Sequence, residues 1–240
     1  MLSFVEFSNK IVETNDIDPY YILFKNFKSK YGETAVTELF KLNLVTFDCQ
    51  SELLYLDGHI KSDKVKLHGV AELNRRHWDK WYNGLKKVDF EKLKKFHGVS
   101  YEIFRREFTK LQGMGDRACW KAADVLDKVY GVKVAMNEWT FLSAYSYPLK
   151  GMLLVNGEKE DVTLYKNKAL YLSHFKQIVE LSKGVKDCGI WSAKNILDLE
   201  TMLCKYHSYA HNRYKIGEDI VHIRKILADD RLKRYRELVP

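Results

Sequence analysis

Leu197, Glu200, Cys204, His207 and His211 recur at three- and four-residue intervals near the end of the chain. On an α-helix this spacing places them on one face, next to an apolar face made by Ile196, Leu199, Leu203 and Tyr206. Glu200 is then expected to be a half-buried carboxylate, suited to accept a proton or hold a cation. Cys204, His207 and His211 also form C-x2-H-x3-H, a spacing used by zinc ligands, but no fourth ligand is evident. No metal and no other cofactor is expected. A helical cysteine beside leucines is more often core than nucleophile, and both roles stay open for Cys204.

A second group is Leu111-Gln112-Gly113-Met114-Gly115-Asp116-Arg117-Ala118, which has the LxGxGxxA form of a helix-hairpin-helix turn. Gly113 and Gly115 permit a tight turn and let a phosphate approach the backbone. The helix that follows offers unpaired N–H groups and a partial positive charge to that phosphate. Ala118 is small enough for close helix packing. Arg117 and Lys121 add charge contacts to a nucleic-acid backbone. The plainer alternative is an ordinary glycine turn between two helices.

The elements that must position these groups are helical. Prolines occur only at 19, 148 and 240 of 240 residues, and apolar residues make up 46%. This composition supports a real core and long helices. The net charge is +8 and is unevenly spread. Residues 1–60 hold nine acids and five bases, whereas residues 75–110 hold eleven bases and five acids. Such clustering marks a nucleic-acid face or a solvated lysine-rich surface. The cysteines (49, 119, 188 and 204) are widely spaced, so reduced thiols are expected. No apolar run is long enough for a bilayer, and the N-terminus lacks a signal pattern. A cytoplasmic protein without membrane contact is expected.

Residues 16–32 read as a helix capped by Asp18, with Pro19 at its first position, Gly32 at its end and Tyr20, Phe24, Phe27 and Tyr31 as its buried stripe. Residues 33–57 read as helical, and 58–70 as a loop or lobe boundary. Residues 71–96 form a basic helical stretch interleaved with Trp78, Trp81 and Tyr82, and 100–111 a further helix. Residues 111–131 carry Ala118, Ala122, Val125, Leu126 and Val129 at helical spacing, with Asp116 as cap and Gly131 as stop. Residues 132–160 are irregular, with a β-like VKVA and a hairpin through Asn156-Gly157. Helices follow at 161–183, at 192–208 with Ser192 as cap, and at 218–236. The fold class is mostly α with at most a short β hairpin, in a single domain with room for two lobes (1–70 and 71–240).

The hairpin resembles that of the helix-hairpin-helix DNA glycosylases, which place an aspartate further along and, in some, a lysine within it. Here Asn137 stands at the aspartate's place and Arg117 at the lysine's. An amide cannot serve as a carboxylate base. A glycosylase-like scaffold without the glycosylase chemistry is expected.

Three separated segments together resemble one family. Asp16-Ile17-Asp18-Pro19-Tyr20-Tyr21 is similar to its DxDPxY opening. Residues Gly113 to Asp124 are similar to its G-x-G-x-x-A-x-x-x-A-D hairpin, with one residue more before the aspartate and with Trp120 and Lys121 inside. Leu199-Glu200-Thr201-Met202-Leu203-Cys204 and Arg213-Tyr214-Lys215-Ile216-Gly217-Glu218-Asp219-Ile220 are similar to its LETxLC…GRYxxGxDI ending. The family is the phage amino acid:DNA transferases, related to the α-glutamyl/putrescinyl thymine pyrophosphorylases. The resemblance implies that an amine from an amino acid or polyamine displaces pyrophosphate from pyrophosphorylated 5-hydroxymethyluracil in double-stranded DNA. It implies Glu200 as acceptor of the amine proton and Lys205 and Arg213 as the grip on pyrophosphate. Tyr214 would stack on the base or pack, and Asp219 would bind the amine or cap the last helix. Asp16, Asp18 and Asn137 join Gly113, Gly115, Arg117, Trp120 and Lys121 as candidate contacts to substrate or DNA.

Three departures bear on the activity. Asn212 precedes Arg213 where the family has glycine, and Val221 replaces a second aspartate of the ending. A glycine-rich stretch after the hairpin helix is replaced by residues 137–143. The competing readings are a glycosylase, which would release a free base, and a DNA-binding module that changes nothing.

Overall fold

The computed structural model describes residues 1–46, 48–65, 78–87, 89–110, 115–142, 146–187, 192 and 195–239. Its helices are α1 (Phe4–Glu13), α2 (Pro19–Tyr31), α3 (Glu33–Thr46), α4 (Cys49–Leu56), α5 (Trp78–Lys86), α6 (Tyr101–Phe108), α7 (Asp116–Tyr130), α8 (Glu138–Phe141), α9 (Ser146–Val155), α10 (Lys168–Ser182), α11 (Ile196–Ala210) and α12 (Glu218–Leu227). Short 3₁₀ turns join them at Ser62–Lys64, Phe90–Phe96, Val162–Lys166 and Asp230–Leu238. The fold is mostly α. Among the described residues the extended pairing is an isolated bridge between Ser100 and Ala135. Cys49, Cys119 and Cys204 are free thiols.

The chain divides into two compact units, residues 1–18 with 136–221, and residues 19–135 with 222–240. In the first, α1 opens with a capping box in which Ser3 and Glu6 satisfy each other's end of the helix. That helix is absent from the sequence reading above. It buries Phe4 and Phe7 edge-on against Tyr206 of α11, with ring centroids 5.6 and 5.4 Å apart. Leu199, Met202 and Leu203 of α11 and Tyr171, Phe175 and Ile178 of α10 complete the core.

Helices α9 and α11 meet at Gly151. A methyl group there would lie 2.9 Å from the carbonyl carbon of Leu203 and inside contact distance of its oxygen. Backbone on both sides leaves nothing to yield cheaply. Gly151→Ala is expected to destabilise the protein by about 1–3 kcal/mol, as overpacking does. Thermal unfolding checks this, and an unchanged midpoint would show that the two helices part freely.

Several local expectations are corrected. Asn156-Gly157 makes no hairpin; it ends α9, and Gly157 adopts the left-handed conformation (φ 74°) that stops a helix. Asn195, not Ser192, caps α11, its side chain accepting from Leu197 N. The backbone N–H of Ser192 instead donates to Asp198 at 2.9 Å. Asp116 is the first residue of α7 rather than its cap, which is Gly115. The stripe of α2 is Tyr21, Leu23, Phe24 and Phe27, because Tyr20 turns its hydroxyl to His222 Nδ1 at 3.1 Å. The boundary expected at 58–70 lies partly outside the described residues.

Candidate active site

In the first unit the opening and closing signatures meet on Asp16. After α1 the chain turns through Asn15, which sits in the left-handed region (φ 56°), a conformation asparagine tolerates better than most residues. That turn drives the Asp16 carboxylate into the interior, where it is fully buried. Its Oδ1 accepts from the Ile220 N–H at 2.7 Å, and its Oδ2 accepts from Gly217 N–H at 2.9 Å and from the Tyr214 hydroxyl. Gly217 (φ 87°) makes the bend that aims both amides at one carboxylate. Asp16 therefore caps α12 from two hundred residues away, where an anion meets the helix's unpaired N–H groups. Burial, and then the bond to Asp16, push the Tyr214 phenol far above its ordinary range.

Lys205 of α11 completes this network. Its Nζ donates to the Asp16 carbonyl at 2.7 Å and to Asp219 Oδ2 at 2.5 Å, and lies 4.6 Å from the Tyr214 ring centre. Asp219 keeps a third of its side chain exposed, while Lys205 keeps little. Asp16, Lys205, Tyr214 and Asp219 are thus brought together.

Glu200 and Cys204 are not part of that network. A helix turns about 100° per residue, so Glu200 and Lys205 point roughly 140° apart around α11. Glu200 is buried at 6% exposure, more deeply than the half-buried position expected. Cys204 is partly buried one turn along. Below them Glu160 receives both histidines of the same face, His207 Nε2 and His211 Nε2, each at 2.7 Å. Burial alone would raise the Glu160 carboxyl, but the two imidazoles hold it below its usual value. His207, buried, is lowered from the ordinary imidazole value chiefly by desolvation. Glu160 is the member of this cluster that the sequence reading missed.

Arg213 stands exposed in the loop between α11 and α12, its backbone N–H bonded to Ser208 O at 2.8 Å. Its guanidinium has no hydrogen bond or ion pair among the described residues. Asn212 beside it adopts φ 55°, the conformation a glycine at this place would take freely. The departure at 212 therefore leaves the backbone turn intact.

In the second unit α7 begins on exposed Gly115, with no side chain on its first amides. Gly113 and the Arg117 side chain lie outside the described residues. Asp116 pairs with Arg105, whose Nε donates at 2.6 Å. Trp120 is buried with its ring 5.3 Å from that of Tyr101. Lys121 Nζ lies 4.4 Å over the Tyr21 ring. The Tyr21 hydroxyl donates to Asp124 Oδ2 at 2.8 Å, joining the opening signature to the hairpin signature. Asp18, the last residue of the first unit before α2, is buried. Asn137, in the first unit, forms a capping box at α8: its Oδ1 accepts from Thr140 N–H at 3.0 Å, and Thr140 Oγ1 accepts from its N–H at 3.1 Å.

No helix among the described residues is long and apolar enough to cross a membrane. In class the chain is a transferase that acts on DNA. It belongs to the amino acid:DNA transferase family, whose profile matches residues 78–214, more than half of its length. That interval contains Gly115, Glu200, Lys205, Arg213 and Tyr214, and ends just short of Asp219. No curated protein matches the chain at a significant level.

Proposed function

We propose that this transferase joins the amine of an amino acid or polyamine to pyrophosphorylated 5-hydroxymethyluracil in double-stranded DNA. The amine nitrogen bonds to the exocyclic carbon, the carbon–oxygen bond to pyrophosphate breaks, and pyrophosphate leaves with the electron pair. A donor that arrives as ammonium gives up one proton, to a protein carboxylate, to become the attacking amine, and a second, to solvent, as the new bond forms. The observation that carries this reading is the buried Asp16 network, which ties both family signatures together and holds the loop that presents Arg213. An exposed guanidinium with no partner among the described residues, on a backbone held by Ser208, suits the leaving diphosphate, which it can grip with two N–H groups. Asp219, part-exposed and anchored by Lys205, suits the ammonium of the incoming donor. Glu200 is the candidate proton acceptor.

Gly115 and the start of α7 suit a backbone phosphate, with Gly113 as a further candidate contact, on a glycosylase-like scaffold that extrudes the base. Asn137, occupied in capping α8, supports transfer over glycosidic cleavage.

The test is to incubate the protein with pyrophosphorylated hydroxymethyluracil DNA and a panel of amino acids and polyamines, and to analyse nucleosides by mass spectrometry. An amine-adduct nucleoside with release of pyrophosphate is expected. No adduct with any donor would count against the reading, and a released free base would favour a glycosylase. Within that assay Arg213→Ala is expected to lower turnover roughly 10- to 100-fold, about 1.4–2.7 kcal/mol. Its unfolding midpoint should stay within about 0.5 kcal/mol of the parent's, because the side chain is exposed. Equal turnover in parent and variant would remove Arg213 from the site.

A further inference from the structure

The cluster on the lower half of α11 has no part in the transfer chemistry above. His207 and His211 are four residues apart on one helix face, as helical metal-binding pairs are. Glu160, 47 residues earlier, reaches them from the segment between α9 and the following 3₁₀ turn. His207 Nε2 meets one carboxylate oxygen and His211 Nε2 meets the other, each at 2.7 Å. The three ligand atoms all lie within 4.8 Å of one another.

We propose that Glu160, His207 and His211 bind a first-row divalent cation of the zinc type. Zinc bonds of about 2.0–2.2 Å place tetrahedral neighbours about 3.3 Å apart. The two Glu160–histidine contacts at 2.7 Å need to open by roughly half an ångström, and the widest of the three separations, within 4.8 Å, needs to close, for an ion to sit among them. Two imidazoles and one carboxylate select zinc and its neighbours over magnesium or calcium, which take all-oxygen sets. Three protein ligands leave a fourth position, which a water or an anionic oxygen fills.

The surroundings fit such a site. His207 is buried, with Tyr147 packed edge-on at 5.1 Å between ring centres. Its Nδ1 is buried with no partner, and Nε2 is the atom that meets Glu160. His211 is exposed and leaves a path for the ion. Cys204 lies on the same face but outside the group. The two histidines of the C-x2-H-x3-H pattern belong to this group and its cysteine does not. The ordinary alternative is a carboxylate that accepts from two neutral imidazoles and binds nothing.

Untagged, chelator-treated protein titrated with Zn²⁺ alone in a calorimeter separates the two, with Co²⁺ absorption as a second reading. One ion per chain and a ligand-field spectrum are expected. His211→Ala, at an exposed position that leaves the fold intact by circular dichroism, should weaken Zn²⁺ binding by more than the roughly 10- to 100-fold that loss of an outer partner costs. Glu160→Gln should do the same, and Cys204→Ser should leave binding unchanged. No ion bound by the parent protein, or equal binding by His211→Ala, would overturn the site. Loss on Cys204→Ser alone would mean that a thiol site had been measured instead.

Discussion

Asp16→Ala is expected to destabilise the protein by roughly 3–5 kcal/mol, the range for breaking a buried charged cluster by removing one member. The carboxylate is fully buried and accepts from the Tyr214 hydroxyl and from the amides of Gly217 and Ile220. Alanine would strand all three donors, and each orphaned buried group costs about 1–3 kcal/mol. The start of α12 would also lose the anion at its N-terminus. At this chain length roughly 2–4 °C of midpoint follow each kcal/mol, so a fall on the order of 10 °C is expected. Asp16→Asn should lose less than half as much, since its oxygen still accepts and Tyr214 can turn to accept its amide. Urea unfolding of the three proteins gives the ranking. Asp16→Ala within about 0.5 kcal/mol of the parent would show that the network follows the fold rather than holding it.

That network shows where sequence reading stops. Pro19, Gly32 and Gly131 mark helix ends through backbone geometry alone, and the structure agrees at each. The apolar stripe of α7 was legible because burial repeats with the helix period, and Ala118, Ala122, Val125, Leu126 and Val129 are all buried. Asn156-Gly157 was misread because the same left-handed glycine closes hairpins and helices alike, and the apolar run before it decides which. The roles of Asp16 and Glu160 had no local signal. Asp16 bonds to residues about two hundred positions away, and Glu160 to residues 47 and 51 positions away. Family signatures supplied Asp16 as a position but not its task. Tyr21 and Asp124, also signature residues, turn out to bond to each other, so the signature encodes internal ties as well as chemistry.

Helix α11 carries two different chemistries on two faces. One holds Lys205 in the Asp16 network with Asp219; the other holds Glu200, Cys204 and the histidines that meet Glu160. Glu200 and Lys205, the partner of Asp219, point roughly 140° apart around α11. On the proposed reading Glu200 takes the proton and Asp219 holds the donor; the alternative gives the proton to Asp219.

Glu200→Gln decides between them. With Glu200 as proton acceptor, turnover of pyrophosphorylated DNA should fall about 10²- to 10⁴-fold, the usual worth of a positioned general base. The amide is nearly the same size, so the unfolding midpoint should move little. The apparent KM for DNA should stay near the parent value, because the lost interaction exists only as the proton moves. The loss should also shrink with donors of lower amine pKa, which reach the transition state already deprotonated. That dependence is one a merely structural glutamate would not produce. The matching Asp219→Asn variant should raise the KM for the amine more than it lowers kcat. If Glu200→Gln keeps full turnover while Asp219→Asn loses it, the acceptor lies on the Lys205 face, and the buried Glu200 belongs to the packing of α11.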